Sequence, residues 1–314
     1  MGKIVDFTKE TKPKIYHYTS CEALQAILNN NSLRFTDSQF LNDKSEFSAM
    51  LEVIKDIQRD TTSPSLSQIL EQSQTLINVY FGMKFDAKSD NIWNCRLLKT
   101  RFYVLSCSRD SDSLPMWNYY SKNSNSWGYN LELKINNIID KVSEIKDVVL
   151  YQGQVIYSKK DMRDILEKRF LEIENKHLSE IEKIKAMPLS KEEKDEELMC
   201  LWSEIENEIA DTILLTRMFY KEKYFKHESE YRFVLEVPIS FAPDGVIRQF
   251  STINGVIRPH IDVLFNDSSF HNKITISPLI DYELAKEGLN LFFAHNDIKI
   301  DKEKIIQSKV QIRF

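Results

Sequence analysis

Apolar positions along this chain recur with period 2 in some stretches and near 3.6 in others, and the switches between the two mark its elements. Lys14-Ile15-Tyr16-His17-Tyr18 predicts a short strand. Thr19 or Ser20 can cap the helix that follows, and Thr19 with Glu22 has the spacing of a capping box. The helix carries Leu24, Ile27 and Leu28 on one face and stops at Asn29-Asn30-Asn31, before a second short strand at Leu33-Arg34-Phe35. Asn42 or Asp43 caps the next helix, Asp43 with Glu46 again having capping-box spacing, and Met50, Leu51, Ile54 and Ile57 continue it. A further helix is expected over residues 69–80, and residues 82–92 read as irregular.

Residues 102–108 predict a buried strand ending in Ser106-Cys107-Ser108, and residues 114–120 a short helix or turn with an aromatic face. A strand over residues 126–133 precedes a hairpin of residues 148–151 and 154–157 turning at Gly153. From residue 159 to about 224 the chain turns charged and helical. Leu166, Phe170, Ile173, Ile181 and Ile184 form one stripe, Pro188 breaks it, and Ser190 with Glu193 opens a second helix through Leu201, Ile205, Ile209 and Ile213. This reads as an αα-hairpin set between strands, its charges forming a solvated face. Strands at residues 227–237, 257–264 and 273–278, a helix over 281–292 and a last strand over 308–313 complete the pattern.

Candidate chemistry concentrates in His227-Glu228-Ser229-Glu230-Tyr231-Arg232. If the strand reaches back to His227, Glu228, Glu230 and Arg232 share one face while Tyr231, Phe233 and Leu235 take the other. Paired carboxylates there suit stabilisation of positive charge or general-base work; an edge strand with a solvated salt-bridge ladder has the same spacing. His17, where a strand meets a helix start, is either a ligand group or a hydrogen-bonded structural histidine. Trp117, Tyr120, Trp127 and Tyr129 fall close together and form either a core corner or one wall of a cleft. His260 and His271 read as structural.

Composition narrows the options. With 314 residues, 42% hydrophobic and 28% charged, the chain is long enough for a sizeable core and has the balance of a soluble globular protein. Only 7 glycines and no Walker or GxGxxG pattern argue against a glycine-rich phosphate loop. A formal net charge of -5 argues against a broad electrostatic grip on nucleic acid, while leaving room for a local basic groove. The 4 cysteines show no CxxC pairing or zinc spacing, so reduced thiols and no metal are expected. Neither a signal-peptide order nor a membrane-spanning apolar run is present, and a cytoplasmic protein is expected.

The ordered set Tyr16-His17-Tyr18-Thr19-Ser20, Asn42-Asp43 with Glu46, Ser106-Cys107-Ser108, Met116-Trp117 with Tyr120, Glu228-Ser229-Glu230-Tyr231-Arg232 and Ile276-Ser277-Pro278 resembles a bacterial family of uncharacterised proteins grouped with the ADP-ribosyltransferase superfamily. The resemblance runs from about residue 15 to 313, apart from the αα-hairpin. It departs at Ser277, where the family has Gly, and at His227, near which the family often has an aromatic residue. It implies an α+β fold, with a split mixed β-sheet core, flanking helices and the hairpin at 159–224 inserted in a single domain, 1–314. It further implies NAD as substrate, with His17 holding its adenosine side and Tyr18 and Thr19 shaping the cleft. Ser106 or Ser108 is the implied middle-strand element, and Trp117 and Tyr120 the nicotinamide-side stackers. By the same resemblance the late-strand Glu is Glu230 or Glu228; Glu230 for the ribose and Glu228 for the acceptor is the preferred assignment, and Arg232, on the same face, pairs with a carboxylate or a pyrophosphate. The implied activity transfers ADP-ribose to a protein, RNA or DNA acceptor, as an intracellular toxin or anti-phage effector with an antitoxin or chaperone partner. NAD glycohydrolysis and a non-catalytic binding module on the same fold are the alternatives; a metal-dependent nuclease has less support, for want of a spaced Asp/His set.

Overall fold

The period-2 segments assemble into one mixed sheet, seen in a computed structural model that describes residues 2–7, 14–41, 45–63, 66–67, 70–71, 99–121, 127–240, 243–253, 255–298 and 300–311. The first elements are β1 (Lys3–Asp6), β2 (Ile15–Thr19), α1 (Cys21–Asn30), β3 (Ser32–Asp37), α2 (Ser45–Asp60) and β4 (Thr100–Ser108). Then come α3 (Leu114–Tyr120), β5 (Tyr129–Leu133), α4 (Ile135–Glu144), β6 (Val149–Gln154), α5 (Lys159–Ala186) and α6 (Lys191–Met218). The chain continues with β7 (Glu230–Pro238), β8 (Val246–Ile253), β9 (Val256–Leu264), β10 (His271–Ile276), α7 (Tyr282–His295) and β11 (Ile305–Gln307). A mixed sheet flanked by helices is an α+β architecture.

Two compact units divide the chain: Met1–Leu41, Arg101–Val155 and Tyr224–Phe314 form one, Asn42–Thr100 and Ile156–Lys223 the other. In the first, the strand order is β1-β6-β7-β4-β2-β5-β10-β11, with β3, β9 and β8 branching off β4. β4 is the branch point. It is bonded to β7, to β2 at Ser108 opposite Tyr16, and to β3 at Val104 and Tyr103 opposite Thr36 and Asp37. A strand has two edges, so three partners require one edge to change neighbour along its length. Ile15, Leu33, Phe35, Leu105, Cys107, Leu131, Tyr231, Phe233 and Leu235 meet in the core on one face of this sheet, joined by Leu24, Ile27 and Leu28 of α1. Burial on this scale is worth ~25 cal/mol per Å² of apolar surface removed from water.

In the second unit, α5 and α6 form the expected hairpin and α2 packs against both. Ser190 and Glu193 make the full capping box. Met50, Ile54, Ile57, Leu166, Phe170, Leu201, Ile205, Ile209 and Ile213 are buried within it. Lys159 with Glu52 and Arg163 with Asp60 add ion pairs across the α2–α5 contact. His177, absent from the sequence expectations, is buried between Glu180 and Glu208. None of the described helices is long and apolar enough to cross a membrane.

Several local expectations change. Ser20, not a Thr19–Glu22 box, caps α1, its hydroxyl accepting from the Ala23 N–H at 3.2 Å. No hairpin turns at Gly153: β6 runs straight through it and pairs along its length with β7, Gly153 facing Arg232 in the register. The last strand is β11, three residues paired with β10, whereas residues 308–311 are not strand. Asn42 and Asp43, most of residues 69–80 and residues 82–92 lie outside the described residues.

Gly128 is the position where space is tightest. A Cβ built there would lie 2.0 Å from the Thr19 carbonyl oxygen and 2.4 Å from that of Ser121, both backbone atoms that cannot rotate away. Gly128→Ala is therefore expected to lower stability by at least the ~1–3 kcal/mol typical of overpacking. Chemical denaturation checks this, and an unchanged midpoint would show that the junction of β2 and β5 is looser than described.

Candidate functional site

Alternation along the strands decides which side chains can meet. Tyr231, Phe233 and Leu235 of β7 enter the core, so Glu230, Arg232, Val234 and Glu236 take the opposite face. On β4, Leu105 and Cys107 enter the core, which turns Ser106 and Ser108 to that same opposite face. Tyr16 and Tyr18 of β2 join it as well, packed with Met116 and Trp117 of α3.

The carboxylates reach this face by a route that the strand reading misses. β7 starts at Glu230; Glu228 ends a 3-10 turn over Lys223–Glu228. Between them Ser229 adopts φ 46°, in the left-handed region that non-glycine residues seldom enter. Ser108 holds this kink in place. Fully buried, its hydroxyl donates to the Glu228 carbonyl at 2.7 Å and accepts from the Asp110 N–H at 3.0 Å. The Arg109 N–H adds a bond to the Ser229 carbonyl at 2.8 Å.

Glu228, Glu230 and Arg232 are buried, at 3%, 4% and 3% exposure. Arg232 grips Glu230 in a two-point pair, Nε to Oε1 at 2.7 Å and an η nitrogen to Oε2 at 3.1 Å. Charge-assisted pairs of this geometry fix a carboxylate's orientation. Glu228 accepts from the Tyr120 hydroxyl at 2.5 Å. Burial raises the Tyr120 phenol pKa, the Glu228 hydrogen bond and the Glu228 and Glu230 charges raise it further, and Arg232 opposes them. Both carboxylates thus act on one phenol, which stays protonated as a donor. Tyr120 itself is 43% exposed and forms the solvent edge of the cluster. Cys107, pushed up by burial and then by the Glu230 charge, stays a thiol.

The aromatic corner is braced by a loop carboxylate. Asp112 accepts from Trp117 Nε1 at 2.8 Å, from the Ser308 hydroxyl at 2.5 Å and from the Lys309 N–H at 2.6 Å. Trp117 is fully buried, edge-on to Tyr18 with ring centroids 4.9 Å apart. The Tyr18 hydroxyl donates to the Asp110 carbonyl at 2.8 Å and accepts from the Ser113 N–H at 3.0 Å. Trp117 and Tyr18 therefore build the floor, and the faces open to a ligand belong to Tyr120 and to its neighbour Tyr119, which is 70% exposed.

His17 and Thr19 stand apart from this group. Alternation along β2 turns them to the side opposite Tyr16 and Tyr18, and Thr19 is buried. His17 Nδ1 donates to the Ser106 carbonyl at 3.2 Å, in the interval where the edge of β4 passes from β3 to β2. A carbonyl only accepts, so Nδ1 carries the proton and Nε2 of the neutral ring is an acceptor. Burial lowers the His17 pKa and favours that neutral form. The Ser106 side chain is exposed.

The structure thus joins Glu228, Glu230, Arg232, Tyr120 and Ser108 on one face, sets Trp117 and Tyr18 beneath, and places His17 at the branch of β4. Asp112 and Ser229, which organise the site, were not singled out from sequence. Asp112, five residues before a tryptophan in a short polar loop, left a faint signal; Ser229 left none. Among the described residues, no group of three His, Cys, Asp or Glu side chains is placed to hold a metal ion.

Residues 116–233 match a family described as "Protein of unknown function (DUF2971)". No curated protein and no solved structure matches the chain. The matched segment runs from within α3 into β7; it contains Trp117, Tyr120, Glu228, Glu230 and Arg232, and excludes His17, Ser106 and Ser108.

Proposed function

We propose that this chain cleaves the nicotinamide–ribose bond of NAD and transfers ADP-ribose to a macromolecular acceptor, protein or nucleic acid. The observation that carries the reading is the pair of buried carboxylates, Glu228 bonded to the Tyr120 hydroxyl and Glu230 clamped by Arg232. Cleavage of a glycosidic bond builds positive charge on the sugar ring, and a fixed carboxylate stabilises that charge as it develops. Glu230, held on both oxygens by Arg232, is the preorganised anion for this task. Glu228, tied to the half-exposed Tyr120, serves to orient or deprotonate the acceptor.

The donor set fits the group in other respects. His17 Nε2 is an acceptor suited to a ribose hydroxyl, on a ring held by the Ser106 carbonyl at the branch of β4. Tyr120 and Tyr119 offer ring faces to a planar heterocycle. Trp117 and Ser108 are occupied within the protein and serve as support. With water as acceptor, the same residues would hydrolyse NAD.

Burial of the three charges favours one competing reading, a non-catalytic module in which they form a structural cluster. The two separate on incubation of the purified chain with NAD labelled in the adenylate half, with and without cell lysate. Nicotinamide release with label appearing on protein or nucleic acid is expected; release without transfer would mean hydrolysis. Neither NAD binding nor nicotinamide release under any condition would leave the structural module as the answer.

A further inference from the structure

α3 is too short to hold its own place. Helices under ~12–15 residues are marginal in water when isolated. α3 has 7 residues and begins without a side-chain N-cap bond, so tertiary ties set its position. The Tyr18 hydroxyl accepts from the Ser113 N–H, and the Ser121 hydroxyl, just past the end of α3, donates to the Trp117 carbonyl. A third tie is Asp112, which accepts from the Trp117 indole N–H.

The same carboxylate also holds the chain that follows β11. Its Oδ1 accepts from the Ser308 hydroxyl as well as from Trp117, and its Oδ2 accepts from the Lys309 N–H. The Ser308 N–H donates to the Ile276 carbonyl at the end of β10 at 2.9 Å. The Ser308 hydroxyl accepts in turn from the Val310 N–H at 3.1 Å, and Val310 packs on the cluster of Tyr16, Tyr18, Met116 and Trp117. Residues 308–310 belong to no strand or helix, so these contacts decide their course.

We infer that residues 308–310 are a strap across the aromatic corner, and that Asp112 is a positioning residue coupling the strap to α3. Trp117 and Tyr120 lie about one helical turn apart, so a shift of the indole carries the phenol away from Glu228. The strap thereby governs the Tyr120–Glu228 pair and the handling of the acceptor. That kinetic consequence rests on the transfer reaction proposed above; the placement of α3 by the strap does not.

Hydrogen exchange on the full chain tests the placement. Asp112→Asn keeps the shape, but its amide N–H, whichever way the group is turned, meets at least one of the three donors. Ser308→Ala removes one bond to the carboxylate, and Ser308→Thr retains it. In D112N the amides of residues 117–120 should exchange about tenfold faster or more, the loss of one bond to a charged group, with those of β7 unchanged. S308A should follow in the same direction and S308T should match wild type, which keeps the inference falsifiable should D112N fold poorly. In kinetics, D112N and S308A should depress transfer to the acceptor while KM for NAD holds. Unchanged exchange in α3, or faster exchange in α3 and β7 alike, overturns the strap. A loosened α3 with undiminished transfer overturns its coupling to Tyr120. Wild-type protein that releases no nicotinamide refutes the transfer reaction alone, and the exchange result then decides the strap.

Discussion

Glu230→Gln is expected to slow nicotinamide release from NAD by about 10²–10³-fold, the loss seen when one preorganised electrostatic stabiliser is removed. Glutamine keeps the size and can still accept from Arg232, whose two-point pair with Glu230 sets the side chain's orientation. What it lacks is the negative charge that opposes the growing cation on the ribose. Since that charge matters most in the transition state, the loss should fall on kcat, with KM for NAD little changed. Glu228→Gln should behave differently, depressing transfer to the acceptor more than nicotinamide release. Steady-state kinetics on folded variants decide this. An E230Q enzyme as fast as wild type would remove Glu230 from the reaction and the main support for the proposed activity.

Arg232→Leu should cost about 3–5 kcal/mol of stability, the range for removing one partner of a buried ion pair. Glu230 is 4% exposed and would keep its charge without its bidentate partner. Solvent screening does little for a pair so deeply buried. Leucine fills most of the volume, so a lost cavity contact is a minor share. The Glu230→Leu, Arg232→Leu double variant should recover much of the loss, because neither charge is then stranded, and a double-mutant cycle in urea reports the coupling. Additive costs from the two single variants would mean that the pair contributes no mutual stabilisation.

How far the chain was legible before its structure depends on whether the deciding interactions are local. Leu24, Ile27 and Leu28 mark α1 by spacing alone, and Ser190 with Glu193 announces α6 because a capping box is complete within four residues. α4 was equally readable, since Ile135, Ile138 and Val142 lie on one helical face, yet it passed unnoticed between two strands. Gly153 misled as a turn signal; inside β6 it is an ordinary strand position opposite Arg232. Glu228, Glu230 and Arg232 stood out in the sequence, but their arrangement did not. It depends on a left-handed serine and on a Ser108 hydroxyl 120 residues away. Likewise, a cavity beside His271 is drawn from four distant segments, which no local spacing could announce.

The branch at β4 also bears on the order in which the molecule can come into being. β4 lies a third of the way along the chain, yet its neighbours β2 and β7 come from residues 15–19 and 230–238, on either side of it in synthesis. The first partner waits on the ribosome for β4 to emerge, and β4 then waits for β7. At the usual pace of translation that second delay is on the order of ten seconds. Through that interval Ser108 has no Glu228 carbonyl to hold, and the carboxylate cluster does not exist. The cluster therefore assembles only once Glu228, 120 residues after Ser108, and the strand that follows it have been made.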